Sequence, residues 1–133
     1  MNVIAAVFLI LHGLVHLLYT GQALKTFELQ PGMTWPVGAR VFSRLRDERI
    51  TRRITAAACV LAAAIFLAGA AGILASQAWF RPVTVIASVF SAAVFLLFWD
   101  GKSKGITNSG LFAVLINAAV LVLLVLGKPD FGF

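Results

Sequence analysis

The sequence predicts an all-α fold, a four-helix transmembrane bundle with a short interfacial amphipathic helix between spans one and two. Hydrophobic residues make up 61% of the 133 residues and charged residues only 12%, against about 45–50% and about 25% in a soluble domain. Four long apolar segments are separated by polar breaks, and none alternates in the manner of barrel strands. This composition excludes a soluble domain and indicates one integral membrane domain, residues 1–133.

Each apolar segment is long enough to cross the hydrocarbon core, which takes about 20 residues as a helix. The predicted spans are approximately residues 3–22, 54–75, 82–99 and 106–126. Helix is expected because an open strand leaves backbone groups unpaired in lipid. We expect the second helix to begin earlier than its span, at a cap formed by Asp47. The first span is expected to be retained, since no basic residue precedes it as in a secretory signal.

The distribution of basic residues predicts the orientation in the membrane. The loop of residues 23–53 holds seven Lys and Arg residues, and the loop between spans three and four holds Lys102 and Lys104. The opposite side holds only Arg81 and Lys128. Because basic residues near a span stay cytoplasmic, we expect both loops in the cytoplasm and both termini on the extracytoplasmic side.

The loop of residues 23–53 contains a predicted amphipathic helix that starts near Pro36, after a turn at residues 31–32. Val37, Val41 and Leu45 recur every four residues and form its apolar side. Arginines accompany this helix and the start of span two, where the anionic headgroups of the bilayer attract them. The predicted membrane-surface residues are Arg40, Arg44, Arg46, Arg49, Arg52 and Arg53. No nucleic-acid-binding motif accompanies this charge, so nucleic acid is not an expected partner.

Span two is rich in small residues. Ala68 and Gly72 are four residues apart, as are Ala58 and Ala62, and this spacing lets two helix backbones approach closely in lipid. The pattern predicts tight packing, either inside the bundle or between copies of the chain. Cys59 lies in the same run and is interpreted as a small packing residue, since a single thiol cannot form an internal disulfide.

Polar side chains within the spans are the main indication of a functional site, because they are unfavourable in lipid unless they are paired. His12, His16 and Tyr19 are separated by four and three residues and therefore share one face of the first helix. We expect this face to point into the bundle, away from lipid.

Matching depths between the spans, at about 1.5 Å per residue, predicts a polar seam inside the bundle. Ser88 or Ser91, together with Asn117, falls at the level of His12, and His16 lies one turn nearer the cytoplasm. The candidate ligand-binding residues of this seam are His12, His16, Tyr19, Ser91, Trp99, Asp100, Asn108 and Asn117.

The sequence leaves several roles open for this seam. It can hold a quinone, a lipid or haem, assembled copies can conduct protons or ions, or neutral imidazoles can hydrogen-bond across helices in a structural role. A metal site is disfavoured because two histidines need further ligands and Asp100 is the one acid nearby. No cofactor is required by the sequence, and no catalytic residue is assigned because Walker loops, dinucleotide-binding glycine patterns and nucleophile elbows do not occur.

Three stretches of the chain resemble a group of small four-span membrane proteins of bacteria and archaea that are mostly of unknown function. They are HGLVHLL at residues 12–18, PGMTWP at residues 31–36 and FWDGK at residues 98–102. The layout is also similar to DoxX-like four-helix membrane proteins, some of which are linked to oxidoreductase complexes. The resemblance implies a multi-pass protein of the prokaryotic cytoplasmic (inner) membrane and no particular reaction.

The function favoured by the sequence is that of a small non-enzymatic membrane protein, which self-associates or serves as an accessory subunit of a larger membrane complex. The small residues of span two and the lack of catalytic motifs are the basis of this prediction. The alternatives are a binding or redox module for a lipid-soluble ligand at His12, His16 and Tyr19, and an oligomeric proton or ion conductor.

Overall fold

The computed structural model describes residues 2–36, 47–99, 111–127 and 129–132, which form four α-helices and no strand. The helices are α1 (Asn2–Ala23), α2 (Glu48–Leu74), α3 (Phe80–Leu97) and α4 (Leu111–Val125). The predicted all-α four-helix bundle is confirmed. The predicted interfacial helix after Pro36 lies outside the described residues, as do residues 106–110 of the predicted fourth span.

The outer surface of the bundle is suited to lipid. α1, α2 and α3 are each long and apolar enough to cross a membrane, and α4 contains a shorter apolar helix, Phe112–Val125. Large apolar side chains such as Leu11, Ile86 and Leu123 point outward. In water, so much exposed apolar surface would make the protein associate with other molecules. Lipid tails are as apolar as leucine and solvate this surface. The chain is therefore a membrane protein.

Local features of the sequence set the ends of α2. The Asp47 carboxylate accepts a 2.9 Å hydrogen bond from the Arg49 N–H, so this residue caps the helix as predicted. Beyond the helix, Ser76 adopts a φ of 55° and helps reverse the chain toward α3. Gly72 allows the start of α3 to pack close to α2, because a Cβ at position 72 would lie 2.9 Å from the Cβ of Phe80.

Consecutive helices are antiparallel neighbours in the order α1, α2, α3 and α4. α1 and α2 approach closely at Gly13, where a Cβ would lie 3.3 Å from the Ala63 carbonyl oxygen. In the described part of the chain, the backbones of α1 and α4 make no such approach. The bundle is therefore open along one side, and we call this opening the α1–α4 cleft.

The end of the bundle that contains Asn2 and the last turn of α2, termed the terminal end, is covered by the tail of residues 129–132. The Asn2 side chain donates a 2.8 Å hydrogen bond to the Phe131 carbonyl oxygen. The Arg81 guanidinium donates another to the Pro129 carbonyl oxygen. The tail is thereby tied to both α1 and α3.

The opposite end, termed the basic end, is closed by residues 24–36. The buried Gln22 side chain accepts a hydrogen bond from the Leu29 N–H at 2.9 Å and donates one to the Trp35 carbonyl oxygen at 3.1 Å. Trp35 is 1% exposed, and its ring stacks on Phe95 of α3 with 4.8 Å between centroids. This segment is part of the packed bundle, whereas its sequence predicts only a turn and the start of a helix.

Candidate functional site

The structure brings four of the predicted polar residues together in what we call the polar network, His12, His16, Ser91 and Asn117. The Asn117 carboxamide oxygen lies 3.0 Å from His12 Nε2, and its nitrogen lies 2.7 Å from Ser91 Oγ. Ser91 Oγ also lies 2.6 Å from His16 Nε2. The remaining His16 nitrogen, Nδ1, lies 2.8 Å from the His12 carbonyl oxygen. All four side chains are buried, so both imidazoles are sheltered from lipid.

The direction of each hydrogen bond follows from the His12 carbonyl oxygen, which can only accept. His16 Nδ1 must therefore carry a hydrogen, and Nε2 of the neutral ring accepts from the Ser91 hydroxyl. Because the Ser91 hydrogen is used there, Ser91 Oγ accepts from Asn117 Nδ2. Asn117 Oδ1 then accepts from the His12 Nε2–H. Each side chain donates once, in a ring of bonds that closes on the His12 backbone and suits two neutral imidazoles.

Aromatic rings surround the polar network. The Phe66 ring lies 4.6 Å from the His12 ring and 5.3 Å from the His16 ring, between centroids. The Phe95 ring also packs against His16, with 5.9 Å between centroids. In these apolar surroundings a paired hydrogen bond is stronger than in water and an unpaired polar group is less favourable. The network is therefore suited to holding α1, α3 and α4 together, since its polar atoms bind one another.

Of the other predicted ligand-binding residues, the structure describes Tyr19 and Trp99. Tyr19 shares the face of the two histidines, but its ring packs against Phe95 at 4.7 Å toward the basic end. Trp99 follows α3, and its buried indole N–H has no hydrogen-bond partner among the described residues. Asp100 and Asn108 lie outside the described residues. Among the residues that the structure describes, no group of three His, Cys, Asp or Glu side chains could hold a metal ion.

Basic side chains lie at the start of α2, at the basic end. The predicted membrane-surface residues described there are Arg49, Arg52 and Arg53. Those outside the described residues are Arg40, Arg44 and Arg46. Arg52 donates hydrogen bonds to the Ala23 carbonyl oxygen at 3.0 Å and to Glu48 at 2.9 Å. The pKa of Glu48 is lowered, first by its hydrogen bond from Lys25 and then by that from Arg52, so these ion pairs are lost only as the pH falls through that lowered pKa.

A cavity of about 490 Å³ occupies the α1–α4 cleft, between the polar network and the tail. Fourteen residues line it, and thirteen of them are apolar. Phe8 lines it from α1, Ala119 and Val120 line it from α4, and Phe131 of the tail lies at the terminal end. The one polar lining residue is Thr84 of α3, whose Oγ1 is buried and has no hydrogen-bond partner among the described residues.

The sequence alone indicates neither this cavity nor a role for Thr84. A signal was present, because Thr84, Ser88 and Ser91 lie at helical spacing on one side of α3. The space around the hydroxyl depends on another helix, however. A Cβ at Gly69 of α2 would lie 2.5 Å from Thr84 Oγ1, so the glycine makes room for the hydroxyl.

No protein-family model, curated protein or solved structure matches this chain. The resemblance to small four-span membrane proteins and to DoxX-like proteins therefore stays a prediction, and the function must be inferred from the residues of the chain itself.

Proposed function

We propose that this protein is a non-catalytic membrane protein that binds one lipid-soluble molecule in the α1–α4 cleft. The observation that supports this function is the apolar cavity of about 490 Å³, a volume within the range of about 300–1,000 Å³ typical of small-molecule sites. Ile4 and Leu123 line the cavity and are 76% and 59% exposed, so it is open toward lipid. A molecule dissolved in the bilayer can enter without crossing water.

The polar network supports this cleft by positioning its walls. His12 and Asn117 join α1 directly to α4, and Ser91 links both to α3. The proposal keeps the lipid-soluble ligand predicted from the sequence, but the ligand lies beside the histidines, because both ring nitrogens of His16 and the Nε2 of His12 are already paired within the bundle. Conduction of protons or ions, the other alternative, has no supporting observation among the described residues.

Tryptophan at Ala119 is expected to abolish binding, because the indole ring would occupy the cavity. Ala118 is exposed on α4 and does not line the cavity, so A118W is the matched control. Photolabelling by a diazirine-bearing hexadecane in lipid nanodiscs measures the binding. In the wild type and A118W we expect labelling of Phe8 and Val120 that saturates and is competed away by plain hexadecane. Labelling that does not saturate in any of the three proteins would contradict the proposal.

Self-association is a second function favoured by one observation. Ala64 and Ala68 lie one turn apart in α2, and both face outward. Ala62 and Gly72, by contrast, are buried inside the bundle. Small residues with this spacing allow a second helix to approach closely in lipid. We therefore propose that α2 also pairs with α2 of another copy.

A cysteine at Ala64 is expected to form a disulfide-linked dimer in native membranes under mild oxidation, because the paired backbones would lie close together. Val89 of α3 is 53% exposed and serves as the control position for random collisions. The native Cys59 is buried and does not compete. Dimer from A64C but not V89C, measured on a non-reducing gel, supports pairing through α2. Equal cross-linking at the two positions would count against it.

We further propose that the basic end faces the cytoplasm of a prokaryotic cell and that the terminal end faces outward. The charge distribution supports this orientation, because Lys25 and the arginines of α2 lie at the basic end. A cysteine at Ser76 is then expected to react with a membrane-impermeant maleimide in intact cells. A cysteine at Thr26 should react only after permeabilisation. Both side chains are exposed, and the reverse pattern would show the opposite orientation.

A further inference from the structure

Another cavity, of about 620 Å³, lies at the basic end between the end of α1 and the start of α2, and we call it the basic pocket. Four of the seven residues that line it are cationic and two are acidic, which leaves a formal charge of +2. The lining residues are Leu24, Lys25, Asp47, Glu48, Arg49, Arg52 and Arg53. All of them are exposed except Arg52, which is partly buried, so a ligand can reach the charged groups directly.

Glu48 binds two of the four cations of the basic pocket. Its carboxylate lies 2.7 Å from Lys25 Nζ and 2.9 Å from Arg52 Nε. Arg52 also donates a hydrogen bond to the Ala23 carbonyl oxygen at 3.0 Å, so its guanidinium is held in place. These contacts join the end of α1 to the start of α2 and fix one wall of the pocket.

The other two cations, Arg49 and Arg53, have guanidinium groups without a partner among the described residues. They lie one turn of α2 apart and line the same pocket. Like charges at this spacing repel each other. An anion in the pocket would offset this repulsion and would accept hydrogen bonds from both guanidinium groups.

The chemistry of the pocket favours phosphate among the anions. A guanidinium donates two parallel hydrogen bonds to a phosphate. A phosphate monoester carries a charge of about −1.5 to −2 at pH 7, which balances the formal charge of the lining residues. Basic pockets on the cytoplasmic side of membrane proteins bind anionic headgroups in this way. We propose that Arg49 and Arg53 bind one phosphate group in the basic pocket.

The phosphate belongs either to the headgroup of a membrane lipid or to a free anion, and the two sources share the same chemistry. Both are independent of the ligand proposed for the α1–α4 cleft, because that cavity lies between the polar network and the tail. A119W, in which tryptophan fills the cleft, should therefore bind the phosphate as the wild type does. Loss of this binding in A119W would place the ligand in the cleft and overturn the inference.

Isothermal titration calorimetry in dodecyl maltoside micelles tests the proposal. The titrants are dioctanoyl phosphatidic acid, dioctanoylglycerol, which has the same chains without the phosphate, and inorganic phosphate. For the wild type we expect saturable binding of the phosphatidic acid that is tighter than binding of dioctanoylglycerol. Inorganic phosphate that binds as tightly as the lipid would identify a free anion as the ligand, and much weaker binding would identify a lipid headgroup. Equal binding of the two lipids, with none of inorganic phosphate, would overturn the inference.

Two arginine variants locate the site. R49Q/R53Q should weaken binding of the phosphatidic acid at least about fivefold, as expected for the loss of two exposed ionic contacts. The matched control R49I/I50R/R53I/I54R exchanges each arginine with the isoleucine that follows it, so the composition and net charge stay the same. Ile50 and Ile54 are 45% and 43% exposed and do not line the pocket, so this variant should lose as much affinity.

Binding at wild-type strength in the exchanged variant would overturn the proposal, because it would show only a general attraction of anions to positive charge. Undiminished binding in R49Q/R53Q would do the same. Both arginines are exposed, and circular dichroism verifies that the variants keep their helices.

Discussion

Replacing Asn117 with leucine is expected to lower the free energy of unfolding by about 1–3 kcal/mol, the loss typical of leaving buried polar groups unpaired. Asn117 is fully buried, accepts a hydrogen bond from His12 and donates one to Ser91. Leucine has a similar size, so the loss comes mainly from the His12 N–H that would keep no acceptor. Reversible unfolding in mixed micelles, followed by circular dichroism, measures the change.

A double variant distinguishes the effect of the hydrogen bond between His12 and Asn117 from the effect of side-chain packing. Changing both His12 and Asn117 to leucine removes the donor together with its acceptor, so no N–H is left unpaired at this bond. We therefore expect the double variant to be more stable than the sum of the two single losses predicts, by about 0.5–3 kcal/mol. Strictly additive losses would show that the two residues act independently. N117L should also weaken photolabelling in the cleft, because α4 loses its direct link to α1.

Replacing Gln22 with leucine is expected to release residues 24–36 from the basic end and to lower the free energy of unfolding by about 1–3 kcal/mol. The Gln22 side chain is 4% exposed and pairs with the Leu29 N–H and the Trp35 carbonyl oxygen. Leucine would leave both backbone groups without this partner. The rate of tryptic cleavage after Lys25 measures the release, and we expect cleavage to be faster in the variant.

Thr26 supplies the matched control for this segment. Its hydroxyl donates a 3.0 Å hydrogen bond to the Gly21 carbonyl oxygen, but the bond is exposed. Water can replace it, so T26V should change the free energy of unfolding by no more than about 0.5 kcal/mol. If Q22L is cleaved no faster than T26V, the buried carboxamide does not hold the segment in place.

The polar network shows how far sequence reasoning reaches into the candidate site. The spacing of His12 and His16 places both on one helix face, and the rise per residue brings Asn117 to the same depth. The sequence left the choice between Ser88 and Ser91 open. In the structure Ser91 joins the network, whereas Ser88 Oγ is buried without a partner among the described residues. One turn of helix separates these serines, and only the rotation of α3 against its neighbours selects between them.

Local sequence patterns do not predict the packing of the basic end or the presence of the α1–α4 cleft. Pro31 and Gly32 indicate a turn in the sequence, but the burial of Trp35 depends on Phe95, sixty residues away in the chain. Thr84 lies within an ordinary apolar helix. Its hydroxyl is buried there because Gly69 of α2 leaves room for it, and the cavity that Thr84 lines exists because α4 stays apart from α1.

The sequence by itself determined that this is a helical membrane protein, where its four apolar segments lie, that Asp47 caps α2 and which face of α1 is polar. These properties depend on hydropathy, helical period and interactions between near neighbours in the chain. Only the tertiary structure decided that the histidines pair with Asn117 and Ser91, that residues 24–36 pack into the bundle and that a cavity separates α1 from α4. Contacts between distant segments depend on how all the side-chain volumes fit together at once, and no single stretch of sequence contains that information.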